Sequence, residues 1–280
     1  MATTDALLHR GIEGRGDDRI LTLDPAFSGL PDTAHGGAVL AVFDALAGRD
    51  GARTLRGVYR RRVPLGVPLR LVARAGDGRL DCRVLDGADA ALVEGSVAPA
   101  AEDRPALRAV TDAARHPLPV SRTCFACGVD NPIGLRARLG FDAGVVAARW
   151  EPREGLAAAA GGGLAPVALT ALLDEAAFWL GALASGESGM TAELDVALRG
   201  RVPVGAALTV GGRRDAVRPL AGDPRYWGVE VGAWDDEGRL VADARITFVA
   251  VRGAARRLVS WLAGVNPPEV VRRVFPAYAG

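Results

Sequence analysis

Two stretches of the sequence place an acidic residue at the same distance behind the start of an apolar segment. Each feature is suited to chemistry on a carbonyl group, but along one helix the two lie roughly 12 Å apart and cannot act on the same carbonyl. The string HGG at 35–37 opens the first stretch, in which Asp44 stands nine residues after the histidine. In the second stretch, Asp174 stands nine residues after Ala165. A helix start offers backbone N–H groups without intrahelical partners, which can hold an oxyanion. A carboxylate can act as a base or as a nucleophile.

These two stretches belong to an internal duplication. RVPLG at 62–66 recurs as RVPVG at 201–205, and the Leu-Val pair at 92–93 recurs at 240–241. The offsets between matching residues are 130 at the helix start, 139 at the RVP string and 148 at the Leu-Val pair. The order of the matches is preserved while the second copy gains loop residues. The sequence therefore predicts two similar structural units.

Each unit is predicted to contain an extended segment, one apolar helix and four strands. The extended segments are 19–23 and 144–150, and the strands follow from alternating apolar residues interrupted by Val-Pro breaks. The predicted strands are about 53–63, 66–75, 79–86 and 90–98 in the first unit, and about 191–201, 206–217, 224–234 and 239–252 in the second. We predict an α+β fold with an N-terminal domain at 1–100, a linker at 101–121, and a C-terminal domain with a tail at 122–280.

Composition excludes several functional classes. The 280 residues carry 34 Lys+Arg and 33 Asp+Glu, so the net charge of +1 argues against a nucleic-acid binder. The uncharged stretch 155–173 is rich in Ala and Gly and contains Pro166, which favours a buried helix over a membrane span. Three cysteines cannot form a disulfide framework, and the N-terminus has no apolar signal segment. We therefore expect a cytoplasmic protein.

The segment HGG…Asp44, the apolar helix and the strands broken at RVPxG turns resemble tandem hotdog-fold thioesterases of the 4-hydroxybenzoyl-CoA and phenylacetate-pathway type. The segment CFACGVDNPIGL at 124–135 is similar to a prelude found in a subset of such proteins. The resemblance covers about 19–98 and 122–252. It implies two long central helices, each wrapped by an antiparallel sheet, and it allows two chains to pair as a homodimer.

The resemblance also implies that the two helices lie side by side, so that the start of each faces the acidic residue of the other. A first composite site would combine His35, Gly36 and Gly37 with Asp174. Gly36 and Gly37 would supply the oxyanion donors. Asp174 would be the base or the nucleophile, two roles that the sequence does not separate. For His35, a role in bracing the loop at the helix start is the alternative to proton transfer.

The second composite site would combine Asp44 with Ala165, Pro166 and Val167. Because Pro166 stands where the first copy has Gly36, this site lacks an N–H donor, and we predict that only the first site is active. An alternative alignment takes the glycines at 161–163 as the turn of the second copy, which would restore a donor. The first copy also departs from related enzymes, which commonly carry Asn or Gln ahead of HGG, where Gly29 and Leu30 stand here.

Four further residues are assigned to substrate binding: Asp44, Glu175, Phe178 and Arg61. Asp44 could instead be a helix residue without function, and Phe178 could belong to the core. Arginine clusters at 60–62, 213–214 and 256–257 could contact the phosphates of coenzyme A, although solvated strand faces are the alternative.

Cys124 and Cys127 have the spacing of metal ligands, but a structural zinc needs four ligands, and His116 and Cys82 are the spare candidates. A redox pair and two ordinary thiols in a turn are the other interpretations. We predict no metal and no cofactor, with a coenzyme A thioester as substrate.

The favoured function is hydrolysis of an acyl-CoA or a related acyl thioester at one composite site. A non-catalytic protein that binds acyl thioesters or small lipids is the alternative from another class. A hotdog dehydratase or hydratase is a third interpretation, which is disfavoured because the sequence has no Asp-x-x-x-x-His pattern on a predicted helix. We expect a small-molecule acyl thioester as partner, and neither nucleic acid nor membrane.

Overall fold

Five α-helices and fourteen strands follow one another along the residues that the computed structural model describes, which are 3–100, 105–110, 115–159 and 162–278. The helices are α1 (Thr4–Arg10), α2 (Gly36–Ala47), α3 (Pro166–Ser185), α4 (Ala254–Leu262) and α5 (Pro268–Val274). The strands of the first half are β1 (Ile12–Glu13), β2 (Asp18–Leu21), β3 (Arg53–Tyr59), β4 (Leu69–Gly76), β5 (Arg79–Leu85) and β6 (Ala91–Pro99). The remaining strands are β7 (His116–Pro117), β8 (Gly140–Phe141), β9 (Val145–Trp150), β10 (Gly189–Leu198), β11 (Leu208–Arg213), β12 (Arg218–Pro219), β13 (Tyr226–Trp234) and β14 (Leu240–Ala250).

The strands form one antiparallel sheet that runs through both halves. Its order is β1-β2-β4-β5-β6-β3-β10-β14-β13-β11-β9-β8-β7, with β12 paired to β13. The two half-sheets meet where β3 pairs with β10, between Arg53 opposite Leu198 and Val58 opposite Glu193. The order β2-β4-β5-β6-β3 in the first half is mirrored by β9-β11-β13-β14-β10 in the second. The duplication seen in the sequence is therefore a duplication of topology.

The two central helices begin at equivalent positions and are capped differently. His35 is the N-cap of α2, and Ala165 is the N-cap of α3, which has Pro166 at its first turn. Proline fits this position because the first N–H of a helix has no intrahelical partner. Each helix ends at a glycine in the left-handed region, Gly48 with φ 55° and Gly186 with φ 70°, which is the common way to terminate a helix.

Helix α3 starts at Pro166, so the glycines at 161–163 do not provide an extra helical turn. Gly162 and Gly163 lie before the helix, and Gly161 lies outside the described residues. Helix α3 is also long and apolar enough to span a membrane by length and composition. In this fold it is a core helix, since most of its side chains are buried between the sheet and α2.

The residues after β14, which we predicted to be a C-terminal tail, form α4 and α5. Helix α4 buries Ala255, Leu258 and Leu262, whose spacing of three and four residues is that of an amphipathic helix. The side-chain amide of Asn266 holds this extension against the main chain of Val120, donating to its carbonyl at 2.6 Å and accepting from its N–H at 2.8 Å. Leu258, Trp261 and Leu262 of this extension line a cavity in the interior of the protein.

Candidate active site

The start of α2 and the middle of α3 lie closer together than most side chains would permit. A Cβ atom at Gly37 would lie 2.4 Å from the carbonyl oxygen of Thr170, which is too close for any other residue without movement. The Thr170 hydroxyl bonds back to the carbonyl of Gly37 at 2.7 Å. The glycine therefore permits the helix contact that brings Asp174 to the start of α2.

Asp174 and His35 form a buried pair at this contact. The His35 Nδ1 atom lies 3.2 Å from Asp174 Oδ2, and the two residues are 4% and 5% exposed. The Gly37 N–H lies 3.0 Å from the same carboxylate oxygen and 3.3 Å from His35 Nδ1. One N–H cannot donate to an Nδ1 that itself carries a proton. The carboxylate contact is shorter, and the carboxylate is the stronger acceptor. We therefore conclude that the Gly37 N–H donates to Asp174 and that His35 Nδ1 carries a proton.

The electrostatics of the pair agree with that assignment. Burial opposes a charged imidazole, but hydrogen bonds and charges from Asp174 and Glu175 outweigh it and raise the pKa of His35 to about 10. Burial likewise works against the ionised carboxyl of Asp174. The bonds from His35, Thr191 and Gly37 overcome this and hold the pKa of Asp174 below its ordinary value.

Two hydroxyl groups complete the surroundings of Asp174 and Gly36. Thr191, near the start of β10, donates to Asp174 Oδ1 at 2.6 Å. Tyr59, at the end of β3, donates to the carbonyl of Gly36 at 2.6 Å, and burial together with the charge of Asp174 raises the pKa of Tyr59 well above its ordinary value. Tyr59 therefore remains a neutral donor.

Gly36 and Gly37, predicted together as oxyanion donors, differ in the structure. The Gly37 N–H, predicted as an oxyanion donor, is bonded to Asp174 in this arrangement. Among the described residues, we find no hydrogen bond that engages the Gly36 N–H. A Cβ atom at Gly36 would lie 2.8 Å from Asp174 Oδ2, so the Gly36 main chain is close to this carboxylate. The Gly36 N–H is the donor left for a ligand at the positive end of α2.

Glu175 also faces this site, on the other side of His35. Its Oε2 atom lies 3.6 Å from His35 Nε2 and 3.8 Å from the Cys124 sulfur, and its Oε1 atom accepts the Trp179 indole N–H at 2.9 Å. Glu175 is 7% exposed, so the imidazole of His35 is enclosed between two buried carboxylates. The first composite site thus contains two acids rather than one.

A cavity of about 370 Å³ lies over these groups, within the size range of small-molecule sites. Its polar end contains His35, Gly36, Asp174 and Glu175. Its apolar wall combines residues of α3 and β10 with those of the C-terminal extension, namely Phe178, Trp179, Met190, Leu258, Trp261 and Leu262. Arg60, Arg61, Arg62 and Arg225 line the remaining part.

Two of the other residues assigned to substrate binding, Phe178 and Arg61, line the cavity. Phe178 lines the cavity and stacks edge-on against Trp179, with ring centroids 5.1 Å apart. Arg61 also lines it, although its exposed guanidinium lies 3.4 Å from Asp86. Of the three arginine clusters, within the described part of the chain, 60–62 lines this cavity and those at 213–214 and 256–257 do not.

Asp44, which we predicted to bind substrate, does not line the cavity and is held by another residue instead. Its carboxylate is held by Arg53 in a buried two-point ion pair, with Nε–Oδ1 at 2.5 Å and Nη2–Oδ2 at 2.7 Å. Burial works against the Arg53 cation, but the bonds and charge of Asp44 outweigh it and raise the pKa of Arg53. The acid of the second composite site is therefore neutralised, and Pro166 offers that site no N–H.

The thiol groups are free, and two of them lie at the first site. Cys124 and Cys127 line the cavity, and all three cysteines are buried and unpaired. Cys82 lies on β5, where burial raises its pKa to about 12. His116 lies on β7 and packs against Phe141, with ring centroids 5.7 Å apart. Neither of the spare ligands predicted for the cysteine pair lines this cavity.

Sequence reasoning missed Arg53, Thr191 and Tyr59. Arg53 and Thr191 each stand near the beginning of the strand that follows a central helix, where a side chain can reach the acid on that helix. This position was a usable signal in the duplicated sequence. Tyr59 gave no such signal, since its bond to Gly36 depends on how β3 passes the start of α2.

Solved structures share this fold over nearly their whole length. A protein from Novosphingobium aromaticivorans, provisionally named a thioesterase, has a TM-score of 0.59 at 18% identity, covering 86% of this chain and 98% of the other. A protein of unknown function with a hot dog fold from Alicyclobacillus acidocaldarius has a TM-score of 0.57 at 12% identity, covering 88% and 97%. The inactive H978F mutant of CurJ dehydratase has a TM-score of 0.60 at 9% identity, covering 86% and 94%.

These likenesses establish the fold of the chain as a tandem hotdog of the α+β class. No family model matches the sequence. No curated protein matches it either.

Proposed function

We propose that this protein hydrolyses acyl thioesters, with acyl-CoA as the expected substrate, at the single site between the start of α2 and Asp174. The observation that carries the proposal is the placement of the Gly36 N–H beside the Asp174 carboxylate in a cavity with one apolar wall. Support also comes from hotdog-fold neighbours that are provisionally named thioesterases. These neighbours share less than a quarter of the sequence, so the chemistry is argued from the site.

In this proposal the thioester carbonyl oxygen accepts the Gly36 N–H, whose position at the positive end of α2 stabilises the oxyanion formed on attack. Asp174 either takes a proton from the attacking water or attacks the carbonyl carbon itself, giving a mixed anhydride that water then cleaves. In both cases the carbon–sulfur bond breaks and the thiolate leaves. His35 and Thr191 act as positioning residues, since they fix the Asp174 carboxylate.

The rest of the cavity fits the two ends of such a substrate. The apolar wall at Phe178, Trp179 and Trp261 would take the acyl group. The arginines at 60–62 would lie near the phosphates of coenzyme A. The three free cysteines support a reducing, cytoplasmic location.

One observation favours a binding protein without catalysis as the second candidate. Both oxygens of Asp174 already accept hydrogen bonds, from His35, Gly37 and Thr191, so the carboxylate is a weak base. A dehydratase is less well supported. Dehydration needs a base and an acid on opposite sides of the substrate, whereas His35 and Asp174 are hydrogen-bonded to each other.

The test is a thiol-release assay over a panel of aliphatic and aromatic acyl-CoA substrates. The wild type and Asp174→Asn are compared, with Asp44→Asn as the matched control on the other helix. We expect Asp174→Asn to lower turnover by about 10²–10⁴-fold and Asp44→Asn to leave the remaining folded protein active. Turnover unchanged in Asp174→Asn would refute the proposal, and acyl-CoA binding without turnover by the wild type would establish the second candidate.

A further inference from the structure

A cluster of potential metal-binding side chains lies beside the start of α2, and the proposed hydrolysis uses only one of them, His35, through its Nδ1 atom. His35, Cys124 and Glu175 each offer one donor atom, and these three atoms all lie within 4.8 Å of one another. All three side chains are buried, and all three line the cavity. The cluster joins the loop before α2, the CxxC turn and α3, three segments that are distant in the sequence.

The spacing of the donor atoms is close to that of a tetrahedral zinc site. With bonds of about 2.0–2.3 Å, neighbouring ligand atoms around zinc lie about 3.3–3.8 Å apart. The Glu175 Oε2 atom lies 3.6 Å from His35 Nε2 and 3.8 Å from the Cys124 sulfur. Two edges of the tetrahedron are thus already formed. The third pair of donor atoms, in His35 and Cys124, lies within 4.8 Å.

Outer hydrogen bonds orient two of the three ligands toward the common centre. The opposite nitrogen of His35, Nδ1, lies 3.2 Å from Asp174, which is the carboxylate–histidine arrangement that fixes a histidine for metal binding through Nε2. Glu175 uses Oε1 to accept the Trp179 indole N–H, which leaves Oε2 facing the cluster. His35 and Glu175 are therefore each held by a residue outside the cluster.

The charges of the region also suit a cation. Asp174 and Glu175 are adjacent in sequence and both are less than 9% exposed, with one histidine between them. Buried carboxylates are costly unless they are compensated. We propose that His35 Nε2, the Cys124 thiolate and Glu175 Oε2 bind a zinc ion whose fourth position opens to the cavity. Nitrogen, sulfur and oxygen together are a donor set that zinc accepts.

Binding exchanges protons for the metal. The Nε2 proton of His35 and the thiol proton of Cys124 pass to solvent, and Zn²⁺ takes their places with no change of oxidation state. This site revises the sequence-based expectation of no metal, which considered His116 and Cys82 as the spare ligands. The fold brings His35 and Glu175 to Cys124 instead.

The proposal does not depend on thioester hydrolysis and is tested by metal binding alone. The full chain is freed of metal with a chelator, kept reduced, and titrated with Co²⁺ and then with Zn²⁺. We expect one equivalent of Co²⁺ to bind with a thiolate-to-cobalt charge-transfer band and tetrahedral visible bands, and Zn²⁺ to displace it. Metal content of protein purified without chelator should approach one zinc per chain.

Cys124→Ser and Glu175→Gln are near-isosteric ligand variants, and Cys82→Ser is the matched control at a buried cysteine on β5. We expect each ligand variant to lose more than about 100-fold in zinc affinity and Cys82→Ser to keep the wild-type affinity. Trp179→Phe removes the bond to Glu175 Oε1 together with part of the ring that packs against Phe178 and Phe275, and its zinc affinity should fall about 10-fold. Near-ultraviolet circular dichroism checks that each variant is folded. If Cys124→Ser does not fold, the zinc affinity of Glu175→Gln tests the proposal. The absence of a charge-transfer band in the wild type, or wild-type affinity in both ligand variants, would overturn the proposal.

Discussion

The two halves of this protein repeat one topology, yet the acids on their central helices have opposite surroundings. Asp174 on α3 faces the start of α2 and accepts hydrogen bonds from Gly37 and Thr191 beside a cavity. Asp44 on α2 is enclosed by Arg53 and lines no part of that cavity. In each half, the residue that meets the acid stands near the beginning of the next strand. A hydroxyl there orients a carboxylate, whereas a guanidinium neutralises it.

The helix starts differ in the same direction. Helix α2 begins with two glycines, which allow a close backbone approach and leave the Gly36 N–H for a ligand. Helix α3 begins with proline, which presents no N–H at the equivalent position. The donor and the acid of one site have therefore been kept, and both have been lost from the other. In a duplicated fold, a position that serves a ligand in one half can thus serve only stability in the other half.

The comparison predicts, first, that Arg53 is a structural residue whose loss is severe. Arg53→Met leaves the Asp44 carboxylate buried without its cation, and we expect the free energy of unfolding to fall by about 3–5 kcal/mol. The double variant Asp44→Leu with Arg53→Met removes both charges and should recover most of that loss. Denaturant unfolding measures both. A loss below about 1 kcal/mol in the single variant would show that the ion pair does not hold the second site closed.

The second prediction concerns the helix contact at Gly37. Gly37→Ala places a Cβ atom against the Thr170 carbonyl, so α2 and α3 must separate, and we expect destabilisation of about 1–3 kcal/mol. Gly155→Ala is the control, because a Cβ atom there meets nothing within 4 Å. Equal stability of the two variants would mean that the helices adjust freely, and then Gly37 could not be what sets the position of Asp174.

A third prediction sharpens the role of the hydroxyl that distinguishes the two acids. Thr191→Val keeps the shape of the side chain but removes the bond to Asp174 Oδ1, so the carboxylate loses orientation. We expect kcat for thioester hydrolysis to fall about tenfold, in line with a loss of about 1.5 kcal/mol for a hydrogen bond to a charged group. Thr247→Val, on β14, serves as the control variant. Wild-type kcat in Thr191→Val would remove Thr191 from the site.

Much of this asymmetry was readable in the sequence. The duplicated spacing located both helix starts and both aspartates, and the prolines and alternating residues located the principal strands to within a few residues of their observed ends. Proline at 166 already marked the loss of a donor. The linker at 101–121 is described only in part, since 101–104 and 111–114 lie outside the described residues, and the domain division remains a prediction.

What the sequence could not supply were contacts between distant segments. The bond of the Gly37 N–H to Asp174 spans 137 positions, and the contact of Cys124 with Glu175 spans 51. Such pairings depend on how helices cross, which spacing along one chain does not encode. The partner of Asp44 could not be predicted because the sequence contains many arginines and nothing in it distinguishes Arg53 from the others. The two C-terminal helices did leave a helical apolar pattern at 255, 258 and 262 that could have been recognised.

The smallest effect expected is a dependence of stability on pH at the first site, in metal-free protein. The pKa of His35 is raised from 6.5 to about 10 by its carboxylate partners, so its contribution to stability is full below pH 6.5. That contribution is lost as the pH rises toward and through about 10. The difference in Tm between wild type and His35→Gln should therefore shrink over this range. A difference in Tm that stays constant over this pH range would show that His35 does not carry the positive charge at this site.

The central claim is that the chain holds one ligand site rather than two, and its stoichiometry is directly measurable. Isothermal titration of the metal-free, full-length protein with a non-hydrolysable thioether analogue of an acyl-CoA counts the sites without requiring turnover. The account predicts one analogue per chain, with binding weakened in Phe178→Ala at the cavity wall and retained in Asp44→Asn. Two equivalents per chain, or binding that is lost in Asp44→Asn and kept in Phe178→Ala, would contradict it.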